Sequence, residues 1–194
     1  MSVLNITPKK LVLGAAVPMA LLASGGMVWQ ASYSAFSATT ASPTNNWSAG
    51  TVALSDDDSN TAMFNASNLK PGSTGSKCIV VTSSGSLAST VKLYGTSHST
   101  TKSLSDYLNL KVEEGTGGSF SNCTGFTAGS TIFDGTATSF AGKTDFASGV
   151  GSWAPAAGTV TKTYKVTYTL SGSTPDTAQG GTTALAFTWE SQNS

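Results

Sequence analysis

The strongest pattern in the chain is the alternation between residues 159 and 170. Val160, Tyr164, Val166, Tyr168 and Leu170 occupy even positions, and Thr161, Thr163, Lys165, Thr167 and Thr169 occupy odd ones. Successive side chains of a β-strand point to opposite faces, so this period of two predicts a long strand with one buried and one wetted face. Lys162 is the one charge in the apolar row, near the strand's start, where its long stem carries the ammonium to solvent. The closing stretch repeats the pattern, with Leu185, Phe187 and Trp189 alternating with Ala184, Ala186 and Thr188. Shorter β-prone runs precede these: Thr51 to Leu54, Ala62 to Phe64, Lys77 to Thr82, Thr90 to Tyr94, Leu108 to Val112 and Ser130 to Phe133. Gly, Ser, Asn and Pro clusters separate them. About eight strands with turn signals between most of them predict an all-β sandwich or barrel. One helical turn is expected over Ser103 to Tyr107, with Ser103 as its cap and Asp106 at the third helical position. Gly172 to Gly181, with Pro175 and a Gly pair, reads as a mobile loop.

Composition places this β protein outside the cell. Only 10% of the 194 residues are charged, the formal net charge is zero, and Ser, Thr and Gly abound, which is the profile of an exported chain. With 39% hydrophobic and 9% aromatic residues it closes a core, so charge-driven disorder is excluded. There is no Arg, and the ten lysines are scattered apart from Lys9-Lys10, which argues against a nucleic-acid partner. Residues 1–34 read as a signal peptide, with Lys9 and Lys10 as a basic start and Leu11 to Trp29 as a charge-free apolar stretch. Ser32 and Ser34 offer small side chains for a signal peptidase cut between Ser34 and Ala35. The alternative is a retained anchor, the one way this chain would touch a membrane, because the stretch is about long enough to span a bilayer. Pro18 and Gly25-Gly26 interrupt a continuous helix there and favour cleavage. Residues 35–46, rich in Ser, Thr and Ala, form a flexible arm, and residues 47–194 form one domain without a linker or an internal repeat.

The chemistry-bearing residues are few. Cys78 and Cys123 are the only cysteines, and in an oxidising compartment an even pair is a disulfide candidate, the alternative being two buried free thiols. His98 is the only histidine, so a two-His zinc protease site is excluded within one subunit, and two Cys with one His cannot build a four-ligand zinc site. No nucleophile elbow, dinucleotide fingerprint or Walker loop surrounds the glycines, and His98 reads as a loop residue. Asp56, Asp57 and Asp58 are the weak metal candidates. Three adjacent carboxylates suit calcium's hard-oxygen preference, but consecutive residues of an extended chain point to opposite faces, and the run lacks the alternating calcium-loop spacing. Glu113-Glu114 before three glycines reads as a solvated strand end, Trp189 and Trp47 as core aromatics, and Trp153 as the tryptophan to test for exposure. No cofactor and no enzymatic activity are expected.

Three stretches together resemble the TasA/camelysin-like family of Gram-positive secreted proteins, in its actinobacterial form. They are GGMVWQASYSAFSATT (Gly25 to Thr40) leading into NNWSAGTVALSDDDS (Asn45 to Ser59), FNASNLKPGSTGSKCIVVTSSGSL (Phe64 to Leu87), and GSWAPAAGTVTKTYKVTYTLSGSTPDTAQGGTTALAFTWES (Gly151 to Ser191). Trp47 stands where the family's opening strand usually has its aromatic, and Ser73 replaces the common acidic residue of the family's turn. The resemblance implies a jelly-roll-like sandwich, export through a dedicated signal peptidase, and assembly into extracellular matrix fibres. Some relatives carry a metallopeptidase label, for which this chain lacks paired metal ligands. Assembly of this kind would add a strand from one subunit's arm to the next subunit's sheet edge, and the arm residues Ala35, Phe36, Ala38 and Ala41 are the candidates to enter it. A monomeric surface binding module is the alternative.

Overall fold

The computed structural model describes residues 50–193. In chain order they form β1 (Leu54–Asp56), β2 (Thr74–Gly85), β3 (Ser89–Thr100), α1 (Leu104–Tyr107), β4 (Leu108–Thr116) and β5 (Thr127–Thr136). There follow α2 (Ala137–Ala141), β6 (Val150–Trp153), β7 (Gly158–Leu170), a 3-10 turn (Asp176–Ala178) and β8 (Thr183–Asn193). The strands make two sheets, one ordered β1-β2-β7-β4-β5 and the other β6-β3-β8, with every ladder antiparallel. The chain changes sheet between β2 and β3, β3 and β4, β5 and β6, β6 and β7, and β7 and β8. This is the winding of a jelly-roll-like sandwich.

The alternating row lies at the centre of the larger sheet, where β7 pairs with β2 along its whole length and with β4 on its other side. Tyr164, Val166 and Leu170 are buried, beside Ile79 and Val81 of β2 and Leu110 and Val112 of β4, and they face Val91 and Leu93 of β3. Phe140 of α2 is fully buried, in T-shaped contact with Phe133 (5.0 Å between centroids) and tilted against Phe187 (5.3 Å). α2 starts where Thr136 Oγ1 accepts from the Ser139 amide at 3.1 Å. Gly95 lies beneath this plug, where a Cβ would crowd the Phe140 ring at 3.2 Å and Leu185 at 3.1 Å. The Lys70–Ser73 turn that launches β2 has Pro71 at its second position and Gly72 at φ 84 in its third, and closes by a 2.8 Å bond from the Ser73 amide to Lys70 O. The Ser73 hydroxyl accepts from the Lys70 amide at 3.0 Å, so the serine side chain itself serves the turn.

The disulfide exists: Cys78 and Cys123 are bonded, with Cα atoms 5.3 Å apart. Cys78 opposes Lys165 in the ladder and so belongs to the outward row, yet it has no exposed surface because the β4–β5 loop covers it. Asp57 pins the same loop to the sheet, its carboxylate accepting from the Val80 amide at 2.7 Å and the Phe120 amide at 2.8 Å. The Lys77 ammonium lies 4.5 Å from the Phe120 ring centroid. Replacing Asp57 with Ala leaves both amides to water and is expected to lower stability by about 1 to 2 kcal/mol, read by chemical denaturation.

Several sequence expectations change. Ala62 to Phe64 forms no strand; the segment is apolar enough, but its backbone has no ladder partner. β6 was not anticipated, being four residues long with Gly151 at φ 74. The helical turn is present, but Ser103 stands at φ 52 with no side-chain cap, and the Thr100 hydroxyl accepts from the Ser105 amide instead. The Gly172 to Gly181 segment is tied down: Ala178 is buried and the Lys102 ammonium donates to Gln179 O at 2.6 Å. His98 sits on the exposed end of β3 rather than in a loop, and Trp153 is core rather than exposed.

Candidate functional site

An edge strand offers unpaired amides and carbonyls, and natural sheets blunt such edges by shortness, charge or bulges. Three of the four edges in this sandwich are blunted. β1 has three residues and runs into the Asp56 to Asp58 carboxylates, and β6 has four residues. β5 is longer, but its ladder to β4 shifts twice, leaving Ile132 and Gly129 as extra residues that break its regularity. β8 is different. It runs for eleven residues with Glu190 its only charge, and the irregularity in its ladder lies on β3, at Ser97 and His98. On the side away from β3, its backbone has no partner among the described residues.

The edge opens onto a groove of mixed lining, in which Asp58, Asn60 and Thr61 accompany the apolar side chains. The larger sheet has five strands and the smaller three, and β1, at one edge of the larger sheet, lies against β8 at the edge of the smaller without pairing with it. Residues 58–64 pass this place without forming a ladder, and between them and β8 lies a groove of about 380 Å³. Leu185, Phe187 and Trp189 line it from β8, Met63 and Phe64 from the opposite wall, and Ile79 from the larger sheet. The β8 side chains Leu185, Phe187 and Trp189 are only half-buried although they point inward, and no described strand lies along their outer flank. Phe64 packs edge-on against Tyr168 at 5.1 Å and so fixes the opposite wall.

Two buried polar atoms near this wall have no hydrogen-bond partner among the described residues: Trp189 Nε1 and Glu114 Oε2. Such a donor left unmatched costs about 1 to 3 kcal/mol. The Trp189 ring lies 5.4 Å from that of Tyr164. Tyr164 opposes Glu114 in the ladder, and its hydroxyl pKa is pushed well above the usual tyrosine range, first by burial and then by the Glu114 charge. The solvated strand end expected for Glu113-Glu114 is thus half right. Glu113 meets the Lys111 ammonium at 2.7 Å, whereas Glu114 turns inward with Oε1 accepting from Ser130 Oγ at 2.9 Å.

The Asp56 to Asp58 run is explained by its loop. Asp56 Oδ1 accepts from the Asp58 amide at 3.3 Å, Asp58 Oδ1 from the Asn60 amide at 2.6 Å, and Asp57 makes the two bonds described above. Partial burial, reinforced by the bond with Asp58, raises the Asp56 pKa above the usual carboxylate value. Among the described residues no three Asp, Glu, His or Cys side chains converge as a metal site, and no helix is long and apolar enough to cross a membrane. The cleavage pair Ser34 and Ala35 and the arm residues Phe36, Ala38 and Ala41 lie outside the described residues. No family model matches the chain, and neither does any curated protein.

Proposed function

We propose that the protein is a secreted structural protein of the cell surface or extracellular matrix, without catalytic activity, whose subunits polymerise by strand addition. The observation that carries this reading is the unblunted β8 edge of the three-stranded sheet, beside a groove lined by Leu185, Phe187 and Trp189. The occupant is the arm of a second copy, residues 35–46, which is uncharged and is separated from Gly50 by the three residues 47–49. The resemblance to TasA-like proteins points the same way, and the Cys78–Cys123 bridge suits an oxidising compartment.

Reach argues for a second copy over the chain's own arm. Gly50 lies against Leu87, and the Thr51 amide donates to Ser86 Oγ, so the chain enters the domain at the β2–β3 turn. Ser89 pairs with Asn193, which puts the last residue of β8 at that same end. A strand antiparallel to β8 would finish beside Thr183, eleven residues or about 35 Å away. Residues 47–49 span at most about 11 Å. The chain's own arm therefore reaches β8 only as a parallel strand, in a domain whose ladders are all antiparallel, whereas a neighbour's arm is free to pair antiparallel. Contacts of this head-to-tail kind do not close on themselves, and filaments result.

Electron microscopy and size-exclusion chromatography of the chain beginning at Ala35 test the reading; a strict monomer at every concentration, salt and pH tried would sink it. N-terminal sequencing of the exported protein is expected to give Ala35 as the first residue, and an intact leader on most molecules would show an anchored form instead.

A further inference from the structure

We infer that a neighbour's arm enters beside β8 in a single register, with Phe36 opposite Trp189, Ala38 opposite Phe187, Thr40 opposite Leu185 and Ser42 opposite Thr183, and that Phe36 is the anchor that sets it. This rests on the strand-addition reading and adds to it the alignment of the incoming strand and the residue that selects it. The free hydrogen-bonding groups of β8 follow from its bonded side. The Thr101 amide donates to Thr182 O at 2.8 Å, so residue 182, next to the start of β8, faces β3. The Gly95 amide points away from β8, to Lys143 O at 2.7 Å, and Gly95 lies opposite Phe187. Successive residues of a strand direct their backbone groups to alternate sides. Thr183, Leu185, Phe187 and Trp189 therefore turn N–H and C=O to the open edge, and the last three also line the groove.

The arm has two alternating rows. One carries Phe36, Ala38, Thr40 and Ser42; the other carries Ala35, Ser37, Thr39 and Ala41 and continues to Pro43. An arm residue opposite Phe187 or its alternates donates its N–H to β8, which a proline cannot do. The first row therefore takes the bonded positions, and Pro43 keeps its ring nitrogen away from the ladder. Residues directly opposite share a face, so this row also sets the arm's one large apolar side chain, Phe36, on the side of Leu185, Phe187 and Trp189. Length then fixes the alignment. With Phe36 opposite Trp189, residues 35–42 pair with residues 190–183, and Pro43 falls just beyond the start of β8. A slip of two toward Asn193 carries Phe36 past Trp189, the last β8 residue of the groove. A slip of two the other way leaves only residues 35–40 paired, with residues 188–183. In a chain cut before Ala35, the new α-ammonium stands opposite Glu190, the one charge on β8.

The test mixes two populations of the chain beginning at Ala35, each carrying one added cysteine. Cys78 and Cys123 are bonded to each other, so the added thiols are the only free ones. In this register Thr39 stands opposite Ala186, which is exposed, in a non-hydrogen-bonded pair with Cα atoms about 4.5 Å apart, within disulfide range. Under mild oxidation Thr39→Cys is expected to cross-link to Ala186→Cys at least about tenfold faster than to Ala184→Cys or Thr188→Cys, read as dimer on non-reducing gels. Moving the anchor, by Phe36→Ala together with Ala38→Phe, is expected to shift the preferred partner of Thr39→Cys from Ala186→Cys to Thr188→Cys. Melting curves confirm that each variant is folded. Fastest cross-linking at Ala184→Cys or Thr188→Cys in the natural arm, or equal rates at all three positions, overturns the register and leaves strand addition standing. Faster joining of Ala186→Cys to Ala38→Cys than to Thr39→Cys overturns the row assignment, and an unmoved partner after the anchor is moved overturns the role of Phe36. No cross-link at any pair overturns the strand-addition reading together with this one.

Discussion

A chain beginning at Trp47 will stay folded and monomeric under conditions in which the chain beginning at Ala35 elongates. The expectation follows from where the contacts are. The eight described strands, the buried cluster around Val112, Val166 and Phe140, and the disulfide lie within residues 50–193, so a chain without the arm keeps all of them. It subtracts the only proposed occupant of the groove beside β8. Single substitutions in the arm refine the test. Ala38→Lys replaces a small side chain with a long charged one in an arm proposed to pack on Leu185, Phe187 and Trp189, and is expected to raise the concentration needed for elongation several-fold. Ala41→Lys lies on the other row of an extended arm, so comparing the two variants shows which row meets β8. Filament length by electron microscopy and soluble fraction after sedimentation give the readout. Filaments of unchanged length and yield from the truncated chain would refute the assembly model.

Reducing the Cys78–Cys123 bridge should lower the melting temperature by about 15 °C. The bond joins residues 45 apart and closes a loop of 46 residues counting both ends (123 − 78 + 1), for which chain entropy gives about 4 kcal/mol. In a domain of this size each kcal/mol moves the midpoint by about 3 to 4 °C. The loss should exceed that from Asp57→Ala, because Asp57 holds the same loop by hydrogen bonds to the folded state and leaves the unfolded chain unconstrained. Calorimetry with and without reductant, and of the Cys78→Ser/Cys123→Ser double variant, makes the comparison. Equal midpoints would mean that the loop is held by its packing and by Asp57 alone.

How much of this was legible in the sequence depends on where each feature gets its information. β7 was readable because it lies inside an antiparallel sheet with one face in the core, and such a strand writes its burial into every second residue. β6 was not, because its four residues with a left-handed Gly151 carry too little pattern, and its pairing with Val91 and Leu93 of β3 is decided by distant chain. Ala62 to Phe64 shows the opposite failure: the side chains fit a strand and are partly used, Met63 and Phe64 packing on the core, but none of the described strands ladders with their backbone. The candidate site was half visible. Leu185, Phe187 and Trp189 announced an apolar face, but the alternation that marks a covered strand is identical in one whose outer flank is bare. Only the pairing order exposes the missing neighbour. The turned-in Glu114 was missed because the three glycines after it suggested open solvent, whereas its place opposite Tyr164 is fixed by register.

The position of Gly50 has a mechanical consequence. In a filament built as proposed, tension enters a subunit through β8, gripped by the neighbour's arm, and leaves at Gly50, where the subunit's own arm departs. Thr51 and Ala53 are tied to the end of β2 by bonds to Ser86 and Ser84, β2 turns directly into β3, and β3 is laddered to β8 from Ser89–Asn193 to Thr100–Thr183. The load path thus runs through β8, β3 and one tight turn and bypasses β4, β5, β6 and β7. Pulling acts along the strands, so the β3–β8 hydrogen bonds are sheared together rather than peeled one at a time. The disulfide, placed on the larger sheet away from that path, would leave the force needed to pull subunits apart nearly unchanged whether oxidised or reduced.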